Sequence, residues 1–154
     1  MNAYDKLTAC AGTWQGISTL QDPHSGTPLA SESTLTITPI LLGRFLRVAY
    51  TWDYLGDPQE GEFIIGLHGD TGNLTAHWID TWHMADKGMI CTGQASEDDL
   101  SLLGSYPAPP GPDWGWRTII RPSEDSVHVV MLNVPPGLTG ELAVEATYSA
   151  HKPG

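Results

Sequence analysis

Gly61-Glu62-Phe63-Ile64-Ile65-Gly66-Leu67-His68, then Gly69-Asp70-Thr71-Gly72-Asn73, then Leu74-Thr75-Ala76-His77-Trp78-Ile79-Asp80-Thr81-Trp82-His83: two β-rich runs flank a cluster of turn residues, which is the pattern of a hairpin. Side chains alternate along a strand. Trp78, Asp80 and Trp82 therefore share one face of the second run, and His77, Ile79, Thr81 and His83 share the other. One face carries an acid between two indoles, as the wall of a pocket inside a β-barrel would.

Working outward from this hairpin, the same kind of run recurs along the chain. The spacing predicts strands at about 13–20, 33–38, 44–53, 62–67, 74–83, 88–94, 100–103, 116–121, 127–132 and 142–148, about ten in all. Turn residues separate them: Asp22-Pro23, Gly56-Asp57-Pro58, Gly72-Asn73, Pro109-Pro110-Gly111-Pro112 and Pro135-Pro136-Gly137 each interrupt a ladder. Only residues 3–11, before Gly12, suggest a helix, and it is short. Without a βαβ rhythm the expectation is an all-β fold, a single antiparallel up-and-down barrel over residues 1–154, because closing the sheet removes its exposed edges. The stretch from Tyr106 to Trp114 holds Pro107, Pro109, Pro110 and Pro112. Four residues without an amide donor cannot pair in a central strand, so an extended loop at a barrel rim is expected there.

At 154 residues the chain is long enough to bury a core as one domain. Seven Lys and Arg stand against eighteen Asp and Glu, a formal net charge of −11. Such a field opposes nucleic acid and anionic membrane surfaces as partners. The start of the chain has neither the cationic nor the apolar region of a secretory signal, and no apolar run has the length of a membrane span, so a cytoplasmic protein is expected. Cys10 and Cys91 have no C-x-x-C spacing, so they are expected as buried free thiols, and no metal is expected.

Further residues carry a family likeness. Gly12-Thr13-Trp14 after a short helix is similar to the Gly-x-Trp opening of lipocalin-like barrels, whose Trp closes the barrel base. Gly43-Arg44-Phe45-Leu46, the run Gly61 to Gly66, Thr71 to Asn73, Trp78-Ile79-Asp80-Thr81, Gly93 and Thr147-Tyr148 together resemble a bacterial lipocalin-like family known as domain of unknown function fifteen-seventy-nine. The resemblance implies a calycin-type antiparallel barrel and implies no reaction. The chain departs from that family's pattern at Leu67-His68, where a Tyr-Asp pair is expected, and at Ser149-Ala150, where a basic residue is expected. The haem-binding nitrobindins and the fatty-acid-binding barrels are more distantly similar. In nitrobindins a histidine of the last strand holds the haem. The comparable run Leu142 to Tyr148 has none, with His151 following it, so haem is disfavoured and no cofactor is expected.

Asp80 is the first candidate for chemistry. If its face is interior, the carboxylate needs a partner, and Arg44 is the candidate, because Arg44, Leu46, Val48, Tyr50 and Trp52 alternate onto one face of the third strand. Six Trp residues offer broad apolar walls with one donor each. Trp14 is expected in the core. The expected lining of a site for a small, largely apolar ligand is Arg44, Tyr50, Trp52, Trp78, Asp80 and Trp116. His77 and His83 lie roughly 20 Å apart along one strand, too far to share a metal.

No nucleophile and base signature is present, so no catalytic residue is expected. The alternative enzyme reading rests on Asp80 as acid or base in an isomerase or cyclase type of reaction. A third reading is an interaction module in which the proline loop, Trp114 and Trp116 dock a partner or a second copy in a homodimer. The acidic run Glu97-Asp98-Asp99 is expected in a solvated hairpin turn.

Overall fold

The computed structural model describes all residues 1–154 and holds one short helix and ten strands. The helix α1 spans Ala3–Ala9. The strands are β1 (Gly12–Gln21), β2 (Pro28–Ile40), β3 (Phe45–Tyr54), β4 (Asp57–His68), β5 (Asn73–Asp80), β6 (Met89–Ala95), β7 (Leu100–Tyr106), β8 (Trp114–Pro122), β9 (Val127–Val134) and β10 (Glu141–Pro153). Each strand pairs antiparallel with its sequence neighbours, and β1 closes on β10, so the sheet is a closed up-and-down barrel. No strand edge is left to pair with another chain.

The central hairpin forms as its residues dictate. β4 and β5 pair from His68 opposite Asn73 to Gly61 opposite Asp80, joined by a 3₁₀ turn at Gly69–Thr71. Gly72 closes that turn at φ 74°, a conformation that favours glycine. β5 alternates strictly between exposed and buried residues, with Leu74, Ala76, Trp78 and Asp80 turned inward.

The two ends of the barrel differ. At the base, α1 lies across the opening. Asn2 caps it by accepting a hydrogen bond from the Asp5 amide, and its buried face presents Ala3, Tyr4 and Leu7. The Ala3 amide donates to the Ser96 carbonyl, tying the helix to the β6–β7 turn. Trp14, 1% exposed, fills the base and donates from Nε1 to the Cys10 carbonyl. The other end, the mouth, is ringed by the turns at residues 22–27, 55–56, 81–88, 107–113 and 135–140.

Several boundaries differ from expectation. β5 stops at Asp80 rather than His83. β10 runs on to Pro153, so the last strand does contain a histidine, His151. Its ring stacks on Trp14 at 4.2 Å, and its Nε2 lies 2.9 Å from the Ala11 carbonyl, at the base. The strand continues because β1 starts at Gly12 and pairs as far as Pro153, with a register shift at Gln15 and Gly16 that absorbs the bend. The proline-rich stretch is a mouth loop, as its missing donors require.

Candidate functional site

Three neighbouring strands place one polar cluster inside the upper barrel. Tyr50 on β3 stands opposite Gly61 on β4, and Gly61 stands opposite Asp80 on β5. Gly61 lacks a side chain where a methyl group would fall on the Tyr50 ring and hydroxyl. The tyrosine therefore reaches across the middle strand, and its hydroxyl donates to Asp80 Oδ2 at 2.6 Å. Trp78 Nε1 donates to the same hydroxyl at 2.8 Å.

Asp80 sits at the end of its strand and is 3% exposed. Its Oδ1 accepts from the backbone amides of Trp82 and His83, both at 2.8 Å. An aspartate that captures the amides two and three residues ahead turns the chain. That turn ends the alternation and brings the His83 ring back over the mouth, so His83 does not share the outer face of His77. All three partners of Asp80 are donors, the pattern of an ionised carboxylate. Burial first, and then the negative charge of Asp80, holds the Tyr50 hydroxyl well above its ordinary pKa, so this tyrosine keeps its proton.

Arg44 takes no part. It lies exposed in the turn before β3, where Leu41, Leu42 and Gly43 all have positive φ, so strand alternation does not extend back to it. The expected Arg44–Asp80 pair is replaced by the tyrosine hydroxyl and two amides. Tyr50, Trp52 and Asp80 do line the interior cavity, together with Leu35, Phe63, His83, Tyr148 and other apolar side chains. The cavity leaves about 20 Å³ of room for the centre of a water molecule, enough for about one water.

Above it an aromatic layer closes the mouth. Trp78 and Trp116 stack at 5.3 Å with planes 11° apart, and Trp52 meets Trp82 edge-on at 5.7 Å. His83 packs against Trp52, Trp78, Trp82 and Trp116. Burial lowers its pKa, opposed by the Asp80 charge. A second cleft of about 470 Å³ lies outside this layer at the rim, walled by Trp78, Trp82, Met84, Tyr106 and Trp116. His83 lines both the cleft and the inner cavity, so its ring is the partition between them.

Two buried donors have no protein partner: Trp116 Nε1 and Thr118 Oγ1, both on the inward face of β8. Trp116 is 7% exposed, so its burial also weakens the expected docking patch, which reduces to the half-buried Trp114. A buried tyrosine lies deeper. Ser33 Oγ donates to the Thr51 carbonyl, so Tyr148 donates its hydroxyl to Ser33 at 2.7 Å. Burial pushes that hydroxyl up to about 12.

Reading the sequence alone missed His83, Thr118 and Tyr148. Asp80 followed by a turn was a usable signal for His83, because aspartate favours such reversals. Tyr148 was marked only as part of the family likeness, without a role, and Thr118 not at all; both became interior through β8 and β10 register. No group of three or more His, Cys, Asp or Glu could hold a metal ion. Cys10 and Cys91 are buried free thiols, and no helix is long and apolar enough to cross a membrane.

Known proteins extend this picture only at the level of fold and family. Residues 2–149 match a family model described as "Protein of unknown function (DUF1579)". No curated protein matches the chain. Among solved structures, the crystal structure of Rv2717c from M. tuberculosis is similar with a TM-score of 0.70 at 14% identity, covering 97% of this chain and 98% of that one. At that identity the likeness concerns the fold alone.

Proposed function

The chain belongs to the family described as "Protein of unknown function (DUF1579)", and from that premise we propose that it binds a small, largely apolar molecule in the upper half of its barrel, within the cytoplasm. The observation that carries this reading is the pair of buried donors, Trp116 Nε1 and Thr118 Oγ1, that no protein atom satisfies. Each unmet donor costs about 1–3 kcal/mol, and an acceptor on a ligand removes that cost. Aromatic walls with a few converging polar groups are the usual construction of a small-molecule site.

Entry requires the aromatic layer to part. The inner cavity is too small for an organic ligand, whereas the rim cleft is within the roughly 300–1,000 Å³ such sites occupy. His83 and Trp82 sit on the 81–88 turn rather than on a strand. Outward movement of that turn joins the two spaces without disturbing the barrel. The two free thiols suit a reducing compartment.

An enzyme using Asp80 has less behind it, because the carboxylate's hydrogen-bond partners are a tyrosine hydroxyl and two backbone amides, with no nucleophile or general base among them. The test is titration with Nile red, a neutral, flat dye with a carbonyl acceptor. One-to-one fluorescence enhancement is expected, weakened several-fold in Trp116→Phe and unchanged in Arg44→Ala. Absence of stoichiometric binding, or an affinity indifferent to both Trp116→Phe and Trp52→Ala, would overturn the assignment.

A further inference from the structure

We propose that the upper chamber is selective for small organic cations, protonated amines with an apolar body, and rejects carboxylates, with Asp80 meeting the ammonium group. The inference rests on the barrel-binding reading above and deepens it. Asp80 is the one charged side chain among the acids and bases lining the inner cavity, which includes no Lys or Arg. The only other ionisable base there is His83, whose ring faces indoles on several sides. A barrel built to hold a fatty acid or another carboxylate would need a cation where this one presents a buried negative charge.

Asp80 retains capacity for a further donor. A carboxylate offers about four lone-pair sites. Two amides occupy Oδ1, and the Tyr50 hydroxyl is the one protein partner of Oδ2. An ammonium N–H can take the remaining position on Oδ2. The surrounding walls suit it too: Tyr50, Trp52, Phe63 and Tyr148 line the same cavity, and aromatic faces attract a cation within about 6 Å of the ring. At the far end of such a ligand, a neutral oxygen would meet the unpartnered Trp116 Nε1, which lines the rim cleft.

The approach is biased the same way. The net charge of −11 favours cations at long range. A second buried carboxylate, Asp22, stands at the mouth, 3% exposed, and holds the Tyr54 hydroxyl. On the outside, a cleft that Tyr50 and Asp80 also line carries Arg47, paired with Glu62 at 2.8 Å, and the exposed Lys87, beside the acids Glu60 and Asp86.

The test uses three ligands that share one skeleton and differ in charge: 2-phenylethylammonium, 2-phenylethanol and phenylacetate, titrated into the full-length protein by calorimetry at pH 7. The expected order is ammonium, then alcohol, then carboxylate, with at least a tenfold gap between first and last. Asp80→Asn, confirmed as folded by circular dichroism, should remove the ammonium's advantage over the alcohol, and an advantage of about tenfold kept by the folded variant would overturn the role of Asp80. If that variant does not fold, the wild-type order at high salt decides, since about 1 M salt screens the long-range field to a Debye length of roughly 3 Å but not a buried contact. A preference that vanishes in salt, or phenylacetate binding as well as the ammonium, overturns the cation selectivity while leaving barrel binding in place. Binding of none of the three overturns both.

Discussion

The lower and upper halves of the barrel are built from the same ten strands and differ in how their interiors are filled. Below, Leu7, Trp14, Ile37, Leu46, Ile65, Leu74, Leu100 and Leu102 pack with 1% exposure or less, and the indole of Trp14 has its acceptor. Above, a carboxylate, two tyrosine hydroxyls, a histidine and the unpartnered Trp116 Nε1 share the space with four indoles. A close-packed apolar filling is the cheapest way to stabilise a barrel. Polar groups held inside at a cost mark the half given over to something other than stability.

The contrast can be broken or sharpened by substitution. The largest effect belongs to the base: Trp14→Ala should cost about 3–5 kcal/mol in urea unfolding, because it empties a sealed site and orphans the Cys10 carbonyl. A loss below about 1 kcal/mol would mean the base is not the stabilising half. Next comes Gly61→Ala, whose methyl displaces Tyr50 from Asp80 and Trp78. We expect a loss of roughly 1–3 kcal/mol from overpacking, with Trp78 fluorescence altered as its hydrogen bond goes. A neutral result would show that Tyr50 has another route to Asp80.

A smaller effect should appear with pH. The folded state lowers the His83 pKa below its ordinary 6.5, by burial against the pull of Asp80. The unfolded chain thus binds more protons in that window. The stabilising share of His83 is complete above about pH 6.5 and is lost as pH falls through the lowered folded value. His83→Gln should flatten that limb of the stability profile between pH 7 and 5, and a profile unchanged by the substitution would contradict the assignment. The smallest effect is Arg44→Ala, expected within about 0.5 kcal/mol because the side chain is exposed in a turn. A larger loss would restore the ion pair that the barrel lacks.

The strand count, the helix at the start and the rim position of the proline loop were all legible, because each follows from alternation, turn residues or missing amide donors close together in the chain. Tyr50, Trp52 and Asp80 were legible as inward residues for the same reason. Arg44 was misplaced because alternation was carried one residue beyond the start of β3, into the turn that Leu41, Leu42 and Gly43 form in left-handed conformations. His83 was misplaced because alternation was carried past Asp80, whose side chain reverses the chain. In both cases the error lies at a strand end, where one local hydrogen bond or one backbone angle outweighs the period-two pattern.

What the amino-acid sequence determined by itself is therefore the repeating local pattern: ten short amphipathic runs, their turns, and a strongly acidic surface. Only the tertiary structure decided which groups meet. Tyr50 and Asp80 lie thirty residues apart and two strands apart, and they touch because the strand between them carries a glycine at the one position that would block them. Whether the buried acid faces an arginine or a tyrosine depends on register across three strands. Alternation tells a side chain which way to point, and only pairing tells it what it will find there.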